Sequence, residues 1–396
     1  MAGWQGAERS SARLGGVPEP PMTSRSTSQK AVAGVGVWAI NGRYVTQRMT
    51  GVQRYAHEIV AALDRILLQD DDAARRLRLR LVLPPGADEA KRHSRIDQVP
   101  TRRGRGHAWD QLVLPWHATS VLSLGNFGPV LARKHIVCIH DANTFIQPES
   151  YSRGFGLAYR TLLPLVGRTA RRVATVSEFS ASMLVAHGVC AREKLFIAPN
   201  GHEHALRWDA SKARVNVIRP RQRPYVLLLG SSARHKNVEI VLAQAEALNE
   251  SGIDIIVVGA ASTIFTAVTT AGVRPNIHHA GYVGDDDLAA LYEGALCLAF
   301  PSRTEGFGIP PLEAMARGCP VVSSNAASLL EVGGDAVAYI DPDDGSGWRD
   351  AIIALAMNPG RRAAMSAQGR KRAAMFSWQR SAEIYLDQML RVDAAR

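Results

Sequence analysis

ALCLAFPSRTEGFGIPPLEAMARG, residues 295–318, runs from an apolar stretch through a loop carrying a carboxylate into a helical pattern. The apolar run up to Phe300 reads as a buried strand. Pro310 and Pro311 fit the first turn of a helix, where their missing N–H groups are not needed. Gly306 and Gly308 let the chain approach a ligand closely. Glu305 stands in the loop and Glu313, eight positions on, in the first turn of the helix. A strand end, a glycine loop and a helix N-terminus together form a place where backbone N–H groups meet an anion such as a diphosphate. The helix dipole contributes only about 0.3–1 kcal/mol at an exposed site, so basic side chains must do more of that binding. Glu313 is then placed to accept from ribose hydroxyls, and Glu305 to meet sugar hydroxyls or a developing positive charge.

The same alternation extends in both directions. Apolar runs followed by polar or glycine-containing loops and helical patterns occur at 32–40, 79–84, 135–141, 172–177 and 194–201, and again at 225–230, 254–259, 295–302 and 320–324. Such alternation signals parallel sheets covered by helices on both faces. It breaks between 203 and 224, where WDASKARVNVIRPRQRP is polar and basic without a period. The expected fold class is therefore α/β, with two doubly wound parallel-sheet domains facing across a cleft. Their expected extents are a disordered leader at 1–30, a first domain at 31–203, a linker at 204–224, a second domain at 225–375 and a last helix at 376–396. In that helix Ser377 caps, and Ala382, Ile384, Tyr385, Leu386, Met389 and Leu390 form a stripe that packs on the second domain.

Other constellations point to the same cleft. Thr50 and Gln53 read as a T-x-x-Q capping box, which puts Gly51 in the first turn of a helix. A ligand could approach its backbone there, or it is a plain helix start. IVCIHD ends a strand with His140 and Asp141, either a catalytic pair or a capping Asp beside an incidental His. LLLGSSARHKN closes another strand with Arg234, His235 and Lys236, suited to a phosphate group or else a solvated basic loop. Asp285, Asp286 and Asp287 read as the first turn of a helix, complementing its dipole, in preference to a metal cluster.

The chain has 396 residues and a formal charge of +11. Much of the Lys and Arg excess lies in the first half, at 75–80, 101–106 and 168–172. No recognition-helix pattern or RNA-binding aromatic signature accompanies it, which argues against nucleic acid as the expected partner and leaves a nucleic-acid-binding protein only as a remote alternative. A basic face held to anionic lipid suits the distribution, with solvated arginines as the plain alternative. The uncharged stretch 255–273 is read as strand, loop and helix, not as a membrane span. Cys138, Cys190, Cys297 and Cys319 lack CxxC spacing and read as buried free thiols in a reducing compartment.

The E-x7-E element in its Gly-Phe-Gly setting resembles that of the group 1 glycosyltransferases of family 4, which have the two-Rossmann GT-B fold. The resemblance covers roughly residues 35 to 390. It includes GYV at 281–283 before a helix, RHKN at 234–237, VSEFS at 176–180 and APNG at 198–201. The stretches 41–59 and 114–130 resemble the mannosyltransferase-like subset of bacterial exopolysaccharide and O-antigen assembly.

The resemblance implies a retaining transfer of a sugar, mannose from GDP-mannose, to a lipid-linked or oligosaccharide acceptor, without cofactor or bound metal. A UDP- or dTDP-sugar is the alternative donor. It also implies a cytoplasmic protein, peripheral at the inner face of the plasma membrane. Carried over by position, Lys236 and Arg234 neutralise the leaving diphosphate. Glu305 holds the donor sugar with the backbone of Gly306, Phe307, Gly308 and Ile309. Glu313 meets the ribose, Tyr282 and Val283 lie by the base, Gly51 and Ser231 lie by the diphosphate, and His140 touches the sugar. Asn126 and Asp141 fall to the acceptor side. Many members carry Arg directly after the strand-end glycine; here Ser231 stands there.

Overall fold

Apolar runs too short for helices become the central strands of two parallel sheets. The computed structural model describes residues 35–87, 92–214, 223–230, 233–259 and 275–395. The expected leader at 1–30, Ser231, the centre of the linker (215–222) and most of 255–273 beyond its strand lie outside the described residues.

The first sheet holds β1 (Gly36–Asn41), β2 (Leu77–Leu83), β3 (Asp97–Pro100), β4 (Ser120–Ser123), β5 (Lys134–Cys138), β6 (Arg172–Thr175) and β7 (Leu195–Ile197). The second holds β8 (Tyr225–Leu229), β9 (Asp254–Val258), β10 (Ile277–Gly281), β11 (Cys297–Phe300), β12 (Val321–Ser324) and β13 (Ala338–Ile340). The strand orders are β3-β2-β1-β4-β5-β6-β7 and β10-β9-β8-β11-β12-β13. Every neighbouring pair is parallel. Both orders reverse once, between β1 and β4 and between β8 and β11. Ligands of such sheets bind where the order reverses, beyond the carboxyl ends of the strands.

The central strands are covered on both sides. In β8, Val226 and Leu228 join one apolar cluster, while Tyr225 and Leu227 join the other. All nine apolar runs form strands. The four strands that the runs did not include are short: β3, β10 and β13 are sheet edges, and β4 is a central strand bounded by serines. All four cysteines are free and buried.

Three local expectations are corrected. The Gly51–Gln69 helix has Thr50 as N-cap residue, yet Thr50 makes no capping bond. Its hydroxyl instead meets the Gln53 side-chain oxygen, and Gln53 donates to Gln47 at 2.9 Å, so the polar groups satisfy one another and no capping box forms. The linker is not wholly irregular, since it contains the Glu203–Leu206 helix and the Ala210–Lys212 turn. The Trp378–Ala394 helix, capped by Ser377, packs on the first sheet's side and not only on the second. Tyr385 meets Tyr55 of the Gly51 helix at 3.0 Å between hydroxyls. Ser381 donates to the Pro199 carbonyl at 2.6 Å. Near the helix end, Asp393 accepts from the Trp38 indole at 2.8 Å and from Lys134 at 2.9 Å. Its stripe is apolar toward the first half because Tyr55 and Phe196 present rings there.

Candidate functional site

The loops after β8 and β11, the two strands at the second sheet's reversal, face each other. After β8, Arg234–Lys236 forms a single tight turn that ends at Asn237 with φ of 53°, a left-handed conformation asparagine tolerates. Asn237 pins the turn by donating to the Pro342 carbonyl at 2.7 Å. Lys236 is thereby aimed inward, with Nζ 2.7 Å from Glu305 Oε1 in the loop after β11. That loop closes at Gly308, whose φ of 101° starts the Ile309–Ala316 helix. A side chain at Gly308 would also meet Leu329 at 2.7 Å, so glycine is needed twice over. Pro310 and Pro311 occupy the first turn. They remove two of the backbone donors a helix start otherwise offers, so little of its anion-binding capacity survives beyond Gly308 and Ile309.

The first half comes into direct contact with this loop. A Cβ at Gly306 would lie 2.7 Å from the His140 carbonyl oxygen and 2.9 Å from Asp141 Cβ. The Gly306 carbonyl accepts from Ser177 Oγ at 2.6 Å and from Ser180 Oγ at 3.0 Å, both in the VSEFS stretch. Glu331 of the second half accepts from the Glu178 and Phe179 amides at 3.0–3.3 Å, capping the Glu178–Ala186 helix across the gap. Gly51 opens the Gly51 helix opposite Ile309, whose Cδ1 would be 3.2 Å from an added Cβ.

His140 follows β5 and is held from both ends. Its amide donates to Asn126 Oδ1 at 2.9 Å, and its Nε2 donates to the Leu124 carbonyl at 2.9 Å. Burial pulls its pKa down, while the Cys138 sulfur and the Leu124 carbonyl push it up, and the net direction is upward. Burial raises the pKa of Asp141, with Glu305 adding to the rise, against the opposing Asn143 amide, His235 and Lys236.

Glu313 is buried and engaged on both oxygens. His204 Nε2 lies 2.9 Å from Oε1, and the Tyr292 hydroxyl lies 3.1 Å from Oε2. Tyr282 is exposed, and the Arg48 guanidinium sits 3.6 Å from its ring centre. Arg54 pairs with Asp285 at 2.6 Å. Asp286 and Asp287 accept backbone N–H groups of Asp209 and Arg214, so the acidic run ties the connecting segment down. Among the described residues no group of three or more His, Cys, Asp or Glu could hold a metal ion.

These elements enclose a cleft of about 540 Å³. Of the fifteen residues singled out in the sequence, twelve line it: Gly51, His140, Asp141, Lys236, Tyr282, Val283, Glu305, Gly306, Phe307, Gly308, Ile309 and Glu313. Arg234 is exposed on its turn and is not among the lining residues, because the tight turn directs Lys236 inward instead. Asn126 is also not among them; its φ of 60° and its side-chain oxygen serve to hold His140. Ser231 lies outside the described residues. The sequence reading missed Arg54, Asp285 in its pairing role, Asn200, and the His204, Tyr292 and Trp378 side chains behind Glu313. Helical spacing could have put Arg54 on the same face as Gly51. Nothing local marked His204, which is 109 positions from its partner.

Among the described lining residues, Arg54 and Lys236 are the cations, against Asp141, Asp285, Glu305 and Glu313. Both cations are already paired with an acid. An anionic ligand therefore competes with, or shares, the carboxylate partners of Lys236 and Arg54.

Residues 209–372 match the family model described as glycosyl transferases group 1. Among curated proteins, the O-antigen chain mannosyltransferase RfbU of Salmonella typhimurium is 28% identical over 226 residues, 56% of this chain and 61% of that protein. The O-antigen chain mannosyltransferase B of Escherichia coli is 28% identical over 269 residues, covering 63% and 68%. The match thus spans less than two thirds of the Salmonella protein's length. Among solved structures, a sucrose-phosphate synthase from Thermosynechococcus elongatus superposes with a TM-score of 0.70 at 18% identity, covering 91% of this chain and 100% of the other. WaaG, a glycosyltransferase involved in lipopolysaccharide biosynthesis, gives 0.64 at 19% identity, covering 89% and 99%. With its two parallel sheets and its cleft at their strand ends, the chain has the GT-B fold of these structures, and its residues 209–372 match the group 1 glycosyltransferases.

Proposed function

We propose that this protein transfers mannose from GDP-mannose, with retention of configuration, to a lipid-linked or growing glycan in O-antigen or exopolysaccharide assembly. The observation that carries the reading is the Lys236–Glu305 pair, 2.7 Å apart at the reversal of the second sheet and facing the cleft. The O-antigen mannosyltransferases among its relatives support the sugar and the pathway class.

Negative charge grows on the departing diphosphate as the glycosidic bond lengthens, and a fixed cation in a partly dry site lowers that barrier. Lys236 turns from Glu305 to the diphosphate when donor binds. Glu305 is then free for the sugar hydroxyls and the oxocarbenium-like centre. Gly308 and Ile309 supply backbone donors, and Glu313 takes the ribose hydroxyls. His140 contacts the sugar from the first half. The acceptor hydroxyl attacks the anomeric carbon from the face the diphosphate leaves, which preserves the configuration.

An exposed helix of the first half supports a membrane-borne substrate. The Arg153–Thr169 helix turns Phe155, Leu157, Leu162 and Leu165 to solvent, with Arg153 and Arg168 exposed at its two ends. Phe155, Leu162 and Leu165 share one face, and exposed apolar residues with basic ends suit an anionic lipid surface. No helix among the described residues is long and apolar enough to cross a membrane.

A thermal-shift series with GDP-mannose, UDP-glucose and dTDP-rhamnose tests the donor. Stabilisation follows RT ln(1 + [L]/Kd), about 2.7 kcal/mol at one hundred times Kd. GDP-mannose should stand out, and a clear response confined to a UDP- or dTDP-sugar would replace it as donor. Proton NMR of the first-formed product reads the anomeric configuration, and an inverted product would remove the retaining mechanism.

A further inference from the structure

Behind Glu313 lies a chain of buried side chains that reaches the start of the last helix. The Trp378 indole N–H donates to His204 Nδ1 at 3.0 Å, and His204 Nε2 faces Glu313 Oε1 at 2.9 Å. An indole nitrogen only donates, so His204 Nδ1 must be the accepting nitrogen. The ring proton is therefore on Nε2, and His204 is a donor toward Glu313. Tyr292, at 3.1 Å, donates to the other oxygen. His204 is fully buried, and Trp378 is held in turn through its backbone N–H, which donates to Glu203 at 3.0–3.1 Å. Each Glu313 oxygen thus has one donor behind it and remaining acceptor capacity toward the cleft that Glu313 lines. Two acceptors fixed side by side match two adjacent hydroxyls.

We infer that Trp378 and His204 are positioning residues that hold Glu313 as a two-oxygen receptor for the vicinal diol of a nucleotide ribose. The last helix thereby contributes to nucleotide recognition without touching the nucleotide. This rests on the reading of the cleft as a nucleotide-sugar site. Both donors behind Glu313 are neutral, so they orient the carboxylate and leave its charge for the ligand. A histidine with the opposite tautomer would present a lone pair to Glu313 and turn it away.

Calorimetric titration of GDP, UDP and their 2′,3′-dideoxy forms tests the relay in the full-length protein. The wild type should prefer the better nucleotide over its dideoxy form by roughly 10-fold or more, the scale of hydrogen bonds to a charged group. His204→Leu should reduce that preference below about 3-fold while dideoxy affinity holds. His204→Gln, whose amide N–H can replace the Nε2 donor, should restore it. Trp378→Phe keeps the ring, frees Nδ1 and should also shrink the preference, which provides a second route if His204→Leu does not fold. Long-range 15N–1H spectra of labelled histidine should show His204 protonated on Nε2 alone. Equal losses for ribo and dideoxy forms, an unchanged preference, or an Nδ1-protonated His204 would overturn the relay while leaving the nucleotide site intact. A wild type that binds no nucleoside diphosphate would overturn both.

Discussion

Lys236 Nζ and Glu305 Oε1 lie 2.7 Å apart, joining the loops that follow β8 and β11. Neither side chain is fully exposed, at 26% and 12%, and Lys236 also lies 5.6 Å from the Phe300 ring centre. The pair fixes both charged groups at the wall of the cleft that they line.

Glu305→Gln should separate binding from transfer. Removing the carboxylate leaves Lys236 free for a diphosphate, so the affinity for nucleoside diphosphate should rise or hold. Turnover should fall by about 100-fold or more, the scale of losing one charge-stabilising group in an active site. Titration of the nucleotide together with initial rates of sugar transfer checks both halves, and parental turnover in this variant would sink the assignment.

Lys236→Met should do the opposite. Without the ammonium, Glu305 stands in the cleft uncompensated, and diphosphate binding should weaken by at least about 10-fold through charge repulsion. The weakening should be greater for nucleoside diphosphate than for nucleoside, which a paired titration of the two reads directly.

Gly306→Ala probes the contact between the halves. The new methyl would press on the His140 carbonyl at 2.7 Å, and backbone there cannot move as a side-chain tip does. Overpacking of this kind costs about 1–3 kcal/mol. A lower urea midpoint, with transfer reduced at saturating donor, is the expected outcome.

Ser177→Ala combined with Ser180→Ala removes both side-chain hydroxyls that donate to the Gly306 carbonyl. Leaving that buried acceptor without them costs about 1–3 kcal/mol. Ser180→Ala alone should cost less than half of the pair, because the Ser177 hydroxyl still donates. Ser177→Ala also removes the cap that accepts from the Ser180 amide at 3.0 Å and should cost about 1 kcal/mol more. Chemical denaturation of the three variants tests that non-additivity.

His135 predicts a pH dependence of stability unrelated to transfer. It is fully buried, its Nε2 is 3.0 Å from Ser123 Oγ, and burial lowers its pKa from 6.5 to about 3. Between those values the unfolded chain binds a proton that the folded protein refuses. Stability is therefore complete above pH 6.5 and falls as pH drops toward 3, by up to roughly 1.4 kcal/mol per pH unit. His135→Gln should flatten this acid limb, and urea midpoints at pH 7.5 and 5.0 would show it.

The sequence carried the frame well because buried parallel strands are nearly uniform in composition. YVLLL at β8 and DIIVV at β9 cannot be solvated, and their positions define both sheets. β3, β10 and β13 escaped because an edge strand pairs on one side only and tolerates polar residues such as those of DQVP. β4 escaped because Ser120 and Ser123 resemble a loop, although Ser123 is satisfied by His135 within the core. In the site, residues attached to a strand end were legible because their place follows from the strand. Arg234 and Lys236 were not separable, since one tight turn decides which of them points inward. The partners of Glu313 are His204, from the linker, and Tyr292, and His204 is held in turn by Trp378; contacts over separations such as 109 and 174 positions leave no local pattern.

Asp393 has a further consequence for biosynthesis. It receives the Trp38 indole N–H and the Lys134 ammonium, and the backbone at Gly36 leaves room for it. During synthesis β1 therefore waits for a residue 355 positions further along before the indole of Trp38 meets this acceptor. The first sheet completes this contact only when the Trp378–Ala394 helix has docked on it.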